Sequence, residues 1–269
     1  MREDNYIMAG LRGVVYYHNF FMNQTEIEQI KVTEKSFRVG IKLNENIVAL
    51  TSNSVIPEGN DELIFYNVKK GNLVEGAKGY SFLMSENGMA LIKKKDGENK
   101  VLLCACKKYI KDQKNGILLV NPQLGENKEI KNPFYDTGDY EVYCICPIFN
   151  VVNNNKDYDV EKVDEDYKKN IEITGTDFFL VGCYEPQKRQ SCIKLYKIIF
   201  SEKVVDTKIK FLQNIEICNK QKEKLDGFEV QIKSMIQSKI TGNIIITCAN
   251  GNIYLFTKPN LEHYIKRQK

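Results

Sequence analysis

Five times along this 269-residue chain an apolar run of strand length meets a turn rich in Gly, Asn or charged residues and is answered by a second apolar run, within residues 5–17, 46–68, 101–121, 177–198 and 243–256. Ile47-Val48-Ala49-Leu50 and Ile244-Ile245-Ile246-Thr247 are such first runs. Leu63-Ile64-Phe65-Tyr66, Ile117-Leu118-Leu119-Val120, Ile193-Lys194-Leu195-Tyr196 and Ile253-Tyr254-Leu255-Phe256 are such second runs. A lone hairpin cannot bury two apolar faces, so repeated hairpins must stack on one another, and a radial array of blades is the architecture that does this. The sequence therefore predicts an all-β chain, a WD40-like β-propeller of about six to seven blades with one incomplete. Residues 1–269 read as one domain.

Between the five hairpins the pattern continues. Residues 37–43 alternate with period two, as a half-buried strand does, and Pro57 and Gly59 mark a loop that leaves the sheet. Tyr80-Ser81-Phe82-Leu83-Met84 and Met89-Ala90-Leu91-Ile92 flank Glu86-Asn87-Gly88, whose Asn-Gly pair predicts a tight hairpin turn. Outer strands are expected at residues 129–134 and 203–211. Apolar content falls across residues 153–170, where Asn, Lys, Asp and Glu dominate. This is the composition of a disordered insertion, with strand pairing resuming at Phe178. No segment reads as a long helix.

Composition narrows the function. Lys+Arg 39 against Asp+Glu 35 leaves +4, too little to imply a nucleic-acid partner from bulk charge. The charged opening Met1-Arg2-Glu3-Asp4 predicts no cleavable signal, and no apolar run is long enough to span a bilayer. A cytoplasmic protein is expected. Eight cysteines lie mostly inside apolar runs, where a reduced thiol behaves as a small hydrophobe, so disulfides are not expected.

Catalytic patterns are scarce. His18 and His263 are the two histidines, and neither sits in a triad-like motif. Cys104-x-Cys106 and Cys144-x-Cys146 would place paired thiols on one face of a strand, whereas structural zinc sites favour turn-borne spacings, so buried cysteines are expected. No phosphate loop, zinc-protease or calcium-loop motif is present. The chain is therefore read as a non-enzyme without a metal or cofactor. Lysine clusters are more suggestive: Lys93-Lys94-Lys95, then Lys107, Lys108, Lys111 and Lys114, then Lys203, Lys208 and Lys210, then Lys220, Lys222 and Lys224. Such loop lysines serve either to solvate the surface and blunt sheet edges or to hold an anionic head group.

The order of hairpins resembles that of the PROPPIN family, β-propellers that bind phosphoinositides in autophagy and endosomal traffic. The residues that carry the resemblance are Asn46-Ile47-Val48-Ala49-Leu50 with Pro57 and Glu62-Leu63-Ile64-Phe65-Tyr66-Asn67, then 101–105 with 115–121, 179–183 with 192–196, and 244–256. The resemblance implies a peripheral scaffold at endosomal or autophagic membranes, with phosphoinositide head groups and trafficking or autophagy proteins as partners. The family's Arg-Arg-Gly stretch has no counterpart, and Lys208 and Lys210 are the nearest cations at its place. They are the candidate lipid-binding residues. Two lysines at i and i+2 of a strand face the same way and lack the guanidinium fork. The matched pattern ends near Phe256, so the family's last blade and membrane-inserting loop are not represented in it. The alternative is a WD-repeat platform that holds proteins without lipid.

Overall fold

The computed structural model describes residues 5–9, 14–19, 28–31, 36–53, 61–74, 80–93, 100–109, 114–123, 129–154, 170–215, 217–218, 224–225 and 231–266. They form an all-β fold of antiparallel meanders. β1 (Asn5–Ala9), β2 (Val14–Asn19) and β3 (Glu28–Lys31) make the first sheet. The second unit is β4 (Ser36–Lys42), β5 (Ile47–Asn53), β6 (Asp61–Asn67) and the short β7 (Asn72–Leu73). The third is β8 (Tyr80–Lys93), β9 (Lys100–Tyr109), β10 (Lys114–Val120) and β11 (Phe134–Gly138), and the fourth is β12 (Glu141–Asn153), β13 (Ile171–Glu185), β14 (Gln190–Ile199) and β15 (Lys208–Ile215). A small hairpin of β16 (Ile217–Cys218) and β17 (Lys224–Leu225) precedes the fifth unit, β18 (Ile232–Gln237), β19 (Ile244–Cys248) and β20 (Ile253–Phe256). The chain then enters a helix, α1 (Lys258–Lys266).

Units two to four are joined edge to edge through β6 with β8 and through one parallel residue pair, Asn87 with Cys144. The first strands of successive units lie against one another: β1 against β4, β4 against β8, β8 against β12, and β12 against β18.

Alternation within strands explains this stacking. On β9, Val101, Leu103 and Ala105 join a core shared with β12, β13 and β14 of unit four. Leu102, Cys104 and Cys106 turn the other way, into a core shared with β5 and β6 of unit two. β14 repeats the device, with Tyr196 and Ile198 facing unit three and Ile193 and Leu195 facing unit five. A strand that shows apolar side chains on both faces must be covered on both. Each Leu, Ile or Val so buried contributes about 1.5–3 kcal/mol. Gly182 marks how closely units four and five approach: a Cβ there would stand 2.7 Å from the Cys144 Sγ and 3.1 Å from an Ile232 methyl.

The all-β expectation holds, and the five hairpins fall where the sequence puts them. The described residues hold five units of three or four strands and show their order of stacking without a closed ring. Several local expectations are corrected. Glu86-Asn87-Gly88 does not reverse the chain; β8 continues past it as one bulged 14-residue strand. Its register against β9 jumps between Met84 and Met89, opposite Cys106 and Cys104, and Asn87 pairs with β12. Long-range pairing on both sides thus overrides a local Asn-Gly preference. The outer strand of unit three is β11, not residues 129–134, and that of unit four begins at Lys208 after a 3-10 turn at Val204–Asp206. β13 begins at Ile171, not Phe178, and pairs Ile171 with Asn153, so the polar insertion sits at a hairpin tip, with residues 155–169 outside the described part. Residues 54–60, with Pro57 and Gly59, also lie outside it.

Candidate functional site

The lysines at the outer edge of unit four share one face of the sheet. β14 and β15 are antiparallel, with Lys197 directly opposite Lys210 and Ile199 opposite Lys208. Opposed residues of an antiparallel pair project to the same side, and so do residues two apart on one strand. Lys197, Lys208 and Lys210 therefore form one basic patch, on the face that also carries Ile193 and Leu195 and looks toward unit five. Lys208 and Lys210 are exposed and Lys197 is half-buried, its ammonium 5.4 Å from the centre of the Phe178 ring.

Beside this patch opens a cavity of about 760 Å³ between units four and five and α1. Lys197 lines it together with Lys258 and Lys266 from the helix, and Asp177 and Glu262 supply its carboxylates. Helix α1 is held there by Leu261, which is buried in the core of units four and five, with Tyr264 and Ile265 packed against that core. The Asn243 side chain caps its start by accepting from the Lys258 N–H at 2.9 Å. Lys258 is committed locally: its ammonium donates to the Val151 carbonyl at 2.7 Å and lies 3.7 Å from Glu262.

A bulge brings Asp177 to this cavity. Between the pairs Pro147 with Phe179 and Phe149 with Gly175, three residues of β13 oppose Ile148 alone. The Thr176 hydroxyl stitches the bulge by donating to the Ile148 carbonyl at 2.6 Å. Bulges re-aim side chains in this way near sites. One oxygen of the Asp177 carboxylate is buried without a hydrogen-bond partner. A buried, unpartnered acceptor costs about 1–3 kcal/mol. Three ammonium groups against two carboxylates, with Lys208 and Lys210 alongside, make a site suited to an anionic group.

The other sequence candidates scatter. Lys114 pairs with Asp136 at 3.0 Å, Lys93 is exposed at the end of β8, and Lys203 is exposed beside the turn before β15. Lys94, Lys95, Lys111, Lys220 and Lys222, and the side chains of Lys107, Lys108, Lys224 and His18, lie outside the described part. His263 is on α1, its ring 6.1 Å from that of Tyr264. Both CxC pairs lie on one face of their strands and are buried; desolvation pushes the Cys104 thiol well above its ordinary value and that of Cys146 up to about 12. Among the described residues there is no cluster of three or more His, Cys, Asp or Glu arranged for a metal, and no helix long and apolar enough to cross a membrane. Sequence reasoning missed Lys197, Lys258, Lys266 and Asp177. The helix had a readable signal, Pro259 in its first turn and Leu261, Tyr264 and Ile265 at helical spacing. The bulge at Asp177 had none.

A scan against protein-family models gives no match, and a search of curated proteins gives none. Among solved structures the chain is similar to Hsv2 of Kluyvelomyces marxianus, at 12% identity and a TM-score of 0.32, over 76% of this chain and 55% of that one. The chain thus spans little more than half the length of that protein, and overlap this low carries no argument about the site.

Proposed function

We propose that this chain is a divergent PROPPIN-like β-propeller, a non-catalytic peripheral scaffold that docks on phosphoinositide-bearing membranes and recruits trafficking or autophagy proteins. In this reading the five stacked sheets are blades. The observation that carries the lipid role is the single basic face of Lys197, Lys208 and Lys210 beside the lysine-lined cavity. It gives the two lysines named by the resemblance a third partner that the sequence did not name. Head-group phosphates would sit against these ammonium groups as point charges, without a bidentate fork.

Each lysine near an anionic surface contributes about 1 kcal/mol. Replacing all three by Gln is therefore expected to weaken binding to vesicles containing phosphatidylinositol 3-phosphate about 100-fold. Flotation reads this directly. Binding unchanged when that lipid is omitted, or unchanged in the triple variant, would sink the proposal.

One observation favours the second reading, a protein platform without lipid. Ile236, Ile245 and Leu255 are successive cross-strand neighbours on the outer face of unit five, and Ile253 joins them at 72% exposure. Contiguous exposed apolar surface of this kind marks interaction sites. Under that reading, Ile245→Asp abolishes a soluble complex while the lysine variant leaves it intact.

A further inference from the structure

Of the seven cysteines whose side chains are described, six are buried and Cys192 is not. It lies on β14 directly opposite Cys183 of β13, two rungs in from the hairpin turn, where Glu185 faces Gln190. Both side chains pack on the core between units three and four, Cys183 fully buried and Cys192 at its margin. Directly opposed antiparallel residues have Cβ atoms about 4.5–5.5 Å apart, close to the separation a disulfide spans. A disulfide holds its Cβ atoms about 3.5–4.5 Å apart, so β13 and β14 draw together slightly for the two sulfurs to bond.

The surroundings are those of a reactive thiol. Lys194, two residues on and on the same face, is 8% exposed and holds its ammonium 3.1 Å from the centre of the Tyr140 ring. This is a buried positive charge beside the pair. The neighbouring Cys183 thiol, together with the Lys194 charge, holds Cys192 below the ordinary cysteine range, while Cys183 is pushed well above it. Cys192, at the margin of the core, is the sulfur a peroxide reaches and so the nucleophile, and Cys183 beneath it is the resolving thiol. The carboxylate of Glu185 at the turn opposes the effect and is itself paired with Lys188 at 3.0 Å. The CxC pairs show the contrast: their thiols are fully buried and raised by desolvation alone or nearly so.

We propose that Cys183 and Cys192 form a reversible thiol–disulfide site that responds to hydroperoxides. The Cys192 thiolate attacks one peroxide oxygen, the O–O bond breaks, and the departing oxygen takes a proton to leave as water or an alcohol. Cys192 is then a sulfenic acid. The Cys183 sulfur attacks the Cys192 sulfur, the S–S bond forms, the S–O bond breaks, and the hydroxide leaves with the Cys183 proton as a second water. Two thiols lose two electrons and the peroxide gains them; a dithiol reductant returns the pair to its free state.

The test treats the folded chain with hydrogen peroxide, blocks remaining thiols and maps tryptic peptides, since cleavage after Lys188 and Arg189 separates the two cysteines. The expected result is one linked peptide pair, Cys183 with Cys192, formed ahead of any other oxidation and lost on dithiothreitol. Cys183→Ser is expected to stop at a sulfenic acid on Cys192 that dimedone traps. In the untreated protein, alkylation of Cys192 should reach half its maximal rate at a pH below the value of about 8.5 for a free thiol. Absence of the linked peptide in protein that stays folded by circular dichroism, or an alkylation profile no different from that of a free cysteine, overturns the proposal.

Discussion

Gln237 does with one side chain what a strand does along its length. It is buried at the end of β18, and its carbonyl accepts from the Phe149 N–H at 2.6 Å while its amino group donates to the Phe149 and Gly242 carbonyls at 3.1 and 2.9 Å. Unit four is thus tied to unit five by hydrogen bonds as well as apolar packing. Gln237→Leu keeps the bulk and strips the bonds, leaving backbone groups unpaired beside the cavity. A cost of about 1–3 kcal/mol is expected, read as a lower urea midpoint at unchanged slope. A shift of only a few tenths would show that water replaces the side chain. This tie could not be read from the sequence, because Gln237 and Phe149 are 88 residues apart and a polar residue in an apolar strand gives no hint of its partner. By contrast, the common face of Lys208 and Lys210 follows from their spacing alone. Lys197 joins them through strand register, which the sequence leaves open.

At the scale of elements, what could be read was what the local chain decides. Runs such as 47–50 and 244–247 became strands because β-branched residues bounded by turn formers have few alternatives. The turn with Gly251 at φ 84 held, closed by the Gly251 N–H donating to the Cys248 carbonyl at 3.0 Å. Asn87-Gly88 failed as a turn because β9 pairs with β8 on both sides of it and β12 pairs with Asn87 itself. Asn115-Gly116 likewise lies within β10, where the register shifts against β9 and β11 alike. Gly116 has a further reason to be glycine: a Cβ there would run into the Tyr135 carbonyl oxygen and the Phe134 ring. The obstacle is partly backbone and cannot rotate away. Gly116→Ala is therefore expected to displace β11 and cost about 1–3 kcal/mol, with faster amide exchange confined to Phe134–Gly138. Unchanged exchange there would show that the edge strand absorbs the methyl group.

In the whole molecule the units follow one another with their first strands side by side, and the sheets of units three and four are apolar on both faces. The basic face and its cavity depend on this order, since they draw β14 and β15 from one unit, Gln237 from the next and α1 from beyond it. The most direct test joins two units by a bond. The Cβ that Gly175 of β13 would carry lies 3.9 Å from the Lys93 Cβ at the end of β8, within the range a disulfide needs, about 3.5–4.5 Å. In a Lys93→Cys, Gly175→Cys double variant, mild oxidation followed by peptide mapping should recover residues 93 and 175 in one disulfide-linked pair. Recovery of the two as separately alkylated peptides from folded protein would contradict the stacking of units three and four, and with it the assembly of the site.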